Sequence, residues 1–220
     1  MNRGAARIAA VSGIVFAVLF VAALVLLHRA PSLSAPDGAY TAFYAGGGDM
    51  VFVAVGLYLV PLSGIAFLWH MTAMRALLDT LTPAPSGMAH GLNLLSGVLF
   101  VAMVFAGTAA AGAVALAVYL DQAPVADPGV ARTLSAVGYG LVFVFAVRAG
   151  GMFAITTTTL LRAGGVLSRP VTWIGYLLAA FLLLTATNQP AAALVFPAWV
   201  LLISGSLLVH ARTPQPVPAS

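Results

Sequence analysis

Long apolar runs separated by short polar turns make up almost the whole chain. Six runs stand out: Ile8 to Leu27, Val51 to Met74, Leu92 to Leu120, Leu134 to Leu161, Val171 to Thr187 and Ala191 to Val209. A helix crosses a hydrocarbon core of about 30 Å with about 20 residues, so the first four runs are long enough and the last two lie near the lower limit of roughly 17. Only Asn188, Gln189 and Pro190 separate those last two, which predicts a tight helical hairpin. The pattern therefore predicts an all-α polytopic bundle of six transmembrane helices, a single domain over residues 1–212. The three prolines of Thr213 to Ser220 predict a disordered tail.

Composition agrees with the pattern, since a chain of 220 residues that is 62% hydrophobic and 6% charged lacks the polar surface of a soluble globule. Charge then orients it. There is no lysine and no glutamate, and Arg3, Arg7, Arg75, Arg162, Arg169 and Arg212 all fall on one side of the threaded chain. Arg29 and Arg132 fall on the other, together with Asp37, Asp49, Asp121 and Asp127. The side richer in arginine is predicted to be cytoplasmic, with both termini on it, in a bacterial plasma membrane. No arginine cluster is interleaved with exposed aromatics, so the basic balance is an orientation signal and not a nucleic-acid surface. The absence of cysteine excludes disulfides, thiolate catalysis and cysteine-held clusters.

The first run is predicted to be a retained helix, because 20 apolar residues exceed the usual 7 to 15 of a signal sequence and Pro36 would follow the best cleavage point, near Ser34 and Ala35. Ser34 followed by Asp37 resembles a capping box, and Tyr40, Phe43 and Tyr44 share one helical face. This predicts a short helix in the outer interface with its aromatics at headgroup level, ended by Gly46, Gly47 and Gly48; an irregular loop bearing belt aromatics is the alternative. The loop from Asp79 to Gly91 carries no motif. Three runs in each half would permit an inverted repeat. The second and sixth runs do share a proline and a histidine, Pro61 with His70 and Pro197 with His210, but the spacings differ and the likeness reads as chance.

Arg148 divides the fourth run almost evenly and is the costly residue of the chain. A charge at the bilayer centre costs between about 2.5 and 17 kcal/mol, so it must face protein, a wet cavity or a ligand. No aspartate lies inside a run, and Leu141, Val144, Phe145, Met152 and Ile155 on its own face are apolar. Helical side chains lean toward their N-terminus, which makes Asp49, Tyr58, Tyr119 and Tyr139 the candidate neighbours, with backbone carbonyls and water as the fallback. Either such groups satisfy it and hold helices in register, or it binds an anionic or carbonyl-bearing ligand, or the span is misplaced.

Two rows of small residues, Gly107, Ala111 and Ala115 and then Ala146, Gly150 and Ala154, should let helices approach closely within the bundle or at a subunit interface. Pro61 should kink the second run, and a broken helix there is a candidate substrate site. His70 and His210 end parallel runs and could hold a haem, although Trp69 marks an interface where a ring needs no function. No metal is predicted, since no helix carries histidine and carboxylate at ligand spacing. Thr156 to Thr159 can return hydroxyl bonds to the preceding turn or line a polar path, and helical geometry allows at most two of them to share one. No Walker loop, nucleophile elbow, zincin helix or dinucleotide fingerprint occurs, and no catalytic residue is predicted.

Arg148-Ala-Gly-Gly-Met-Phe, Thr156 to Thr159, Leu161-Arg-Ala-Gly-Gly-Val-Leu-Ser-Arg-Pro, Trp173-Ile-Gly-Tyr and the opening Arg7-Ile-Ala-Ala-Val-Ser-Gly together cover about a third of the chain. In these stretches it resembles uncharacterised actinobacterial multi-pass membrane proteins. The resemblance implies a six-helix architecture and carries no functional residue. Three readings of function follow. The first is a binding or transport component whose central cavity, at mid-depth near Arg148, accepts an anionic or amphipathic small molecule or lipid, without a cofactor. The second is a structural or accessory subunit that packs against a second copy or another membrane protein, with a filled core and small-residue rows facing outward. The third is a haem-binding redox protein.

Overall fold

The computed structural model describes residues 3–81, 87–121, 126–184 and 190–212, and all of its regular structure there is helical. The helices are α1 (Arg3–Leu27), α2 (Asp37–Ala45), α3 (Asp49–Val53), α4 (Val60–Leu81), α5 (Gly87–Asp121), α6 (Pro128–Tyr139), α7 (Val147–Ala163), α8 (Arg169–Leu184), α9 (Pro190–Ala193) and α10 (Val195–Arg212). A π-helical turn, Ala54–Leu59, joins α3 to α4, and a second, Gly140–Ala146, joins α6 to α7. Four continuous rods are long and apolar enough to cross a membrane: Arg3–Leu27, Asp49–Leu81, Gly87–Leu120 and Pro128–Ala163. Arg169–Leu184 and Val195–Ala211 are apolar but shorter. The expected tail, and the Asn188-Gln189 turn between the last two helices, lie outside the described residues.

Local sequence explains most boundaries. Asp127 caps α6 by accepting from Gly129 N at 2.8 Å, with Pro128 in the first turn, where a missing N–H costs nothing. Gly165, at φ 71°, ends α7 in the left-handed region that glycine adopts without a Cβ penalty. α2 forms where a short helix was predicted, but Pro36 precedes it without a side-chain cap, and Ser34 pairs with Ser32 instead. Its aromatics also differ from expectation: Tyr40 is buried and Phe43 and Tyr44 are half-buried against the bundle. Pro61 lacks a donor for the turn before it, and that turn widens into the π-helix Ala54–Leu59.

α1 packs between α4 and α10, and α7 packs between α5 and α8. Leu81 touches the position of Gly164, so α4 and α7 end side by side. One end of the bundle thus gathers Arg3, Arg7, Arg75, Arg162 and Arg169, while α2, Arg29 and Arg132 lie at the other.

Helices 1 to 4 of the bundle repeat one pattern. Ser12-Gly13-x-x-Phe16 in α1, Ser63-Gly64-x-x-Phe67 in α4, Ser96-Gly97-x-x-Phe100 in α5 and Ala149-Gly150-x-x-Phe153 in α7 have the same form. All four phenylalanines are buried and meet at the centre, with ring centroids 4.8 Å apart for Phe16 and Phe67 and 5.1 Å for Phe67 with Phe100 and with Phe153. Phe196 and Trp199 of α10 complete the cluster. Glycine three residues before each ring shares its face and admits a neighbour: a Cβ would overlap Ser204 Oγ at Gly13, the Phe105 ring at Gly64 and Met71 at Gly97.

The order of elements repeats as well. A long helix, a shorter helix leading into a π-turn and a further helix occur both from α1 to α4 and from α5 to α7, the first unit carrying α2 as an additional short helix. Ser12 and Ser96 return the same hydroxyl bonds, to the carbonyls four and three residues back. His70 Nδ1 contacts Ala9 O at 2.7 Å, and at the matching positions of the second unit Asn93 Nδ2 donates to Thr156 Oγ1 at 2.9 Å. The likeness between these two rod pairs is therefore parallel, both entering from one side.

Both expected small-residue rows face inward. Gly107 O would overlap a Cβ at Gly138, whose next neighbours are Ala111 Cβ at 2.7 Å and Ala111 N at 2.8 Å. The α5 and α6 backbones touch there, so neither can yield without moving a helix. Gly138→Ala should accordingly lower the unfolding midpoint in detergent by the equivalent of about 1–3 kcal/mol, the cost of overpacking. Gly205→Ala, with nothing within 4 Å of the added atom, should leave it unchanged or raise it. Equal midpoints for the two variants would refute this account of the α5–α6 contact.

Candidate functional site

Arg148 sits in the first turn of α7, directly after the π-turn, and is half-buried. Its Nη1 donates to Val144 O at 2.8 Å, so the side chain leans toward its own N-terminus as helical geometry favours. The widened turn redistributes backbone partners: Val147 N bonds to Val142 O, five residues back. A guanidinium has five N–H donors, and among the described residues Arg148 has this one acceptor and no carboxylate. One turn on, Gly151 packs on Ala179, Leu182 and Leu183, which sets Arg148 level with the last described turn of α8. Phe145, on its face, is 58% exposed.

The four predicted neighbours lie elsewhere. Asp49 heads α3 beside Tyr44, where a carboxylate in the first turn suits the helix dipole. Burial, reinforced by Tyr40, Asp49 and Tyr139, holds the Tyr44 phenol above its ordinary value, so it stays neutral. Tyr58 and Tyr119 are exposed, and Tyr139 packs edge-on against Phe143 at 5.7 Å. Tyr139 and Phe143 also line a cleft of 230 Å³ with Leu24, Leu27, His28 and Ser32, at the end of the bundle that bears Arg29 and Arg132.

Several polar groups within the rods are joined across helices. Asn93 Nδ2 of α5 donates to Thr157 Oγ1 at 2.7 Å as well as to Thr156, Trp199 Nε1 donates to Thr158 Oγ1 at 3.4 Å, and Thr159 Oγ1 meets Tyr176 OH at 3.0 Å. The four threonines thus face three partner helices, which makes them interhelical fastenings and not the lining of one path. Asn93, an amide inside an apolar run, was visible in the sequence and was missed.

His70 is fully buried between α1, α4 and α10. A carbonyl only accepts, so Nδ1 carries the proton to Ala9 O and Nε2 presents a lone pair with no partner among the described residues. Phe67 stacks beside the ring at 6.0 Å, and Nε2, the atom that would ligate iron, is enclosed within the packed bundle. His210 is half-buried on α10, roughly 9 Å further along that helix than Ser204, the residue of α10 that shares Gly13 with His70. The two histidines thus sit at different levels of the bundle, His70 within it and His210 near the end of α10. Among the described residues no group of three metal-ligating side chains forms.

Arg132, counted in the sequence only as loop charge, clamps α2 to α6. Its Nη2 donates to Asp37 Oδ1 at 2.6 Å and to Ala35 O at 2.9 Å, and its guanidinium lies 5.0 Å from the Tyr40 ring centre. The signal available was opposite charge on one predicted side of the membrane.

Comparison with protein-family models, curated proteins and solved structures finds no match.

The clamp generates a direct test. Arg132→Ala removes the ion pair, the carbonyl bond and the cation–π contact together, so hydrogen exchange of the Asp37–Ala45 amides should accelerate while that of α5 and α7 stays unchanged. Asp37→Asn should produce a smaller acceleration, because Ala35 O and Tyr40 remain. Unaltered α2 protection in Arg132→Ala would show that the helix is held by apolar contact alone.

Proposed function

We propose that the protein is a binding or transport component of a bacterial plasma membrane that holds an anionic or amphipathic small molecule or lipid at Arg148. In this reading the chain crosses six times with both termini in the cytoplasm. The shorter α8 and α10, 16 and 18 residues long, measure about 24 and 27 Å and cross where the bilayer thins locally. The arginine asymmetry supplies the orientation.

One observation carries the proposal: Arg148 is half-buried in an apolar rod and, among the described residues, meets a single backbone acceptor and no carboxylate. A phosphate or carboxylate would take the remaining donors in a paired, charge-assisted geometry. The aromatic cluster fills the centre of the bundle, so the ligand approaches from the bilayer flank and not through a central cavity. The same filled core supports a second reading, a structural subunit whose partner brings a carboxylate to Arg148. Its expected outward rows of small residues are not what this bundle presents, which leaves it the weaker of the two.

Arg148→Ala separates ligand binding from a purely internal role. If the arginine serves a ligand, the emptied variant should be no less stable than emptied wild type, because a charge costing at least about 2.5 kcal/mol in hydrocarbon has been removed. Native mass spectra of gently purified wild type should show an anionic adduct that Arg148→Ala loses and Arg148→Lys partly keeps. A folded wild type without any adduct, together with a destabilised Arg148→Ala, would overturn the reading.

A further inference from the structure

α1 and α4 pack along their lengths, yet on their outer flank the seam opens into a groove of 570 Å³. That volume lies within the roughly 300–1,000 Å³ of small-molecule sites. Arg7 stands at the end nearest the gathered arginines, Trp69 forms a wall with 62% of its surface exposed, and Val11 and Val15 form the floor. Ala66, small where its neighbours are large, makes a notch beside Trp69. From Arg7 to Val15 the groove extends about 12 Å along α1. Arg7 has no ion pair among the described residues.

We propose that this groove binds one anionic phospholipid of the leaflet at the arginine-bearing end. Its phosphate lies on Arg7, its ester region beside the Trp69 indole, and one acyl chain along Val11 and Val15 into the notch at Ala66. The order of chemistry along the groove is the order along such a lipid: a cation, then an amphipathic ring of the kind found at interfaces, then aliphatic surface. Charge complementarity chooses an anionic headgroup over a zwitterionic one.

The internal repeat supplies a comparison within the molecule. The positions of the second unit that match Arg7, Ala66 and Trp69 are Gly91, Met152 and Ile155. The same framework there lacks the cation, the notch and the indole. The groove is therefore a local addition to a duplicated scaffold, and it shares no residue with Arg148.

The test uses the full chain in non-ionic detergent with equal amounts of phosphatidylglycerol and phosphatidylcholine. Native mass spectra should show phosphatidylglycerol retained about fivefold over phosphatidylcholine, the effect of a single basic residue at an anionic headgroup. Arg7→Ala should abolish the preference, and Arg162→Ala, which removes the same charge from the same end, should keep it. Ala66→Phe fills the notch without altering charge and should lower retention of both lipids; it carries the test alone if circular dichroism shows Arg7→Ala misfolded. Equal retention of the two lipids in wild type, an equal loss in Arg162→Ala, an indifferent Ala66→Phe, or displacement of the lipid by glycerol phosphate would each overturn the site.

Discussion

Apolar side chains gain almost nothing by leaving one hydrocarbon environment for another, so a bundle in a bilayer depends on how closely its helices approach. Here that approach is set by glycine. Gly13, Gly64, Gly97 and Gly150 each lie where an added Cβ would strike a neighbouring helix, and Gly107 and Gly138 bring two backbones together. Three residues beyond each of the first four stands a phenylalanine of the central cluster. Single dispersion contacts are worth only about 0.1–0.2 kcal/mol, and they hold the structure because the glycines let so many form at once. Close approach at the glycine level and ring packing at the next are two results of one spacing.

The same environment decides what polar groups do. In hydrocarbon an unpaired hydroxyl or amide has no water to turn to, and the threonines of α7 accordingly return bonds to their own helix or reach Asn93, Trp199 and Tyr176. Arg148 departs from that rule in degree, since one carbonyl is a small share of what a guanidinium can bond. Its bond to Val144 O is of the kind that the hydroxyls of Ser12 and Ser96 make, to a carbonyl four residues back on the same helix.

The helical architecture was legible because a hydrocarbon core imposes both length and composition, and neither can be disguised in a chain with so few charges. What could not be read was which faces meet. Asp49 and Arg148 looked like partners by depth alone, yet the rods bearing them turn those residues to different neighbours, and no periodicity reveals azimuth between helices that are apolar all round. The aromatic face of α2 read as an interfacial belt for the same reason: an apolar face suits headgroups and bundle alike, and Arg132 decides between them by clamping the helix down. The four copies of small-Gly-x-x-Phe were in plain view. They become informative only once four rings are seen to share one centre.

The duplication also indicates where function lies. Both rod pairs keep the glycine, the ring, the π-turn and a polar link between the same two positions, His70 with Ala9 and Thr156 with Asn93. Packing requirements that act on both units equally would preserve those features and say nothing about ligands. The differences carry more: Arg148 matches Leu62, a 52% exposed apolar residue, and Arg7 matches Gly91. These two arginines lie at different depths, Arg7 near the end of its rod and Arg148 within one. Packing alone does not call for a charge at either place, since the matching positions, Gly91 and Leu62, belong to the same framework without one.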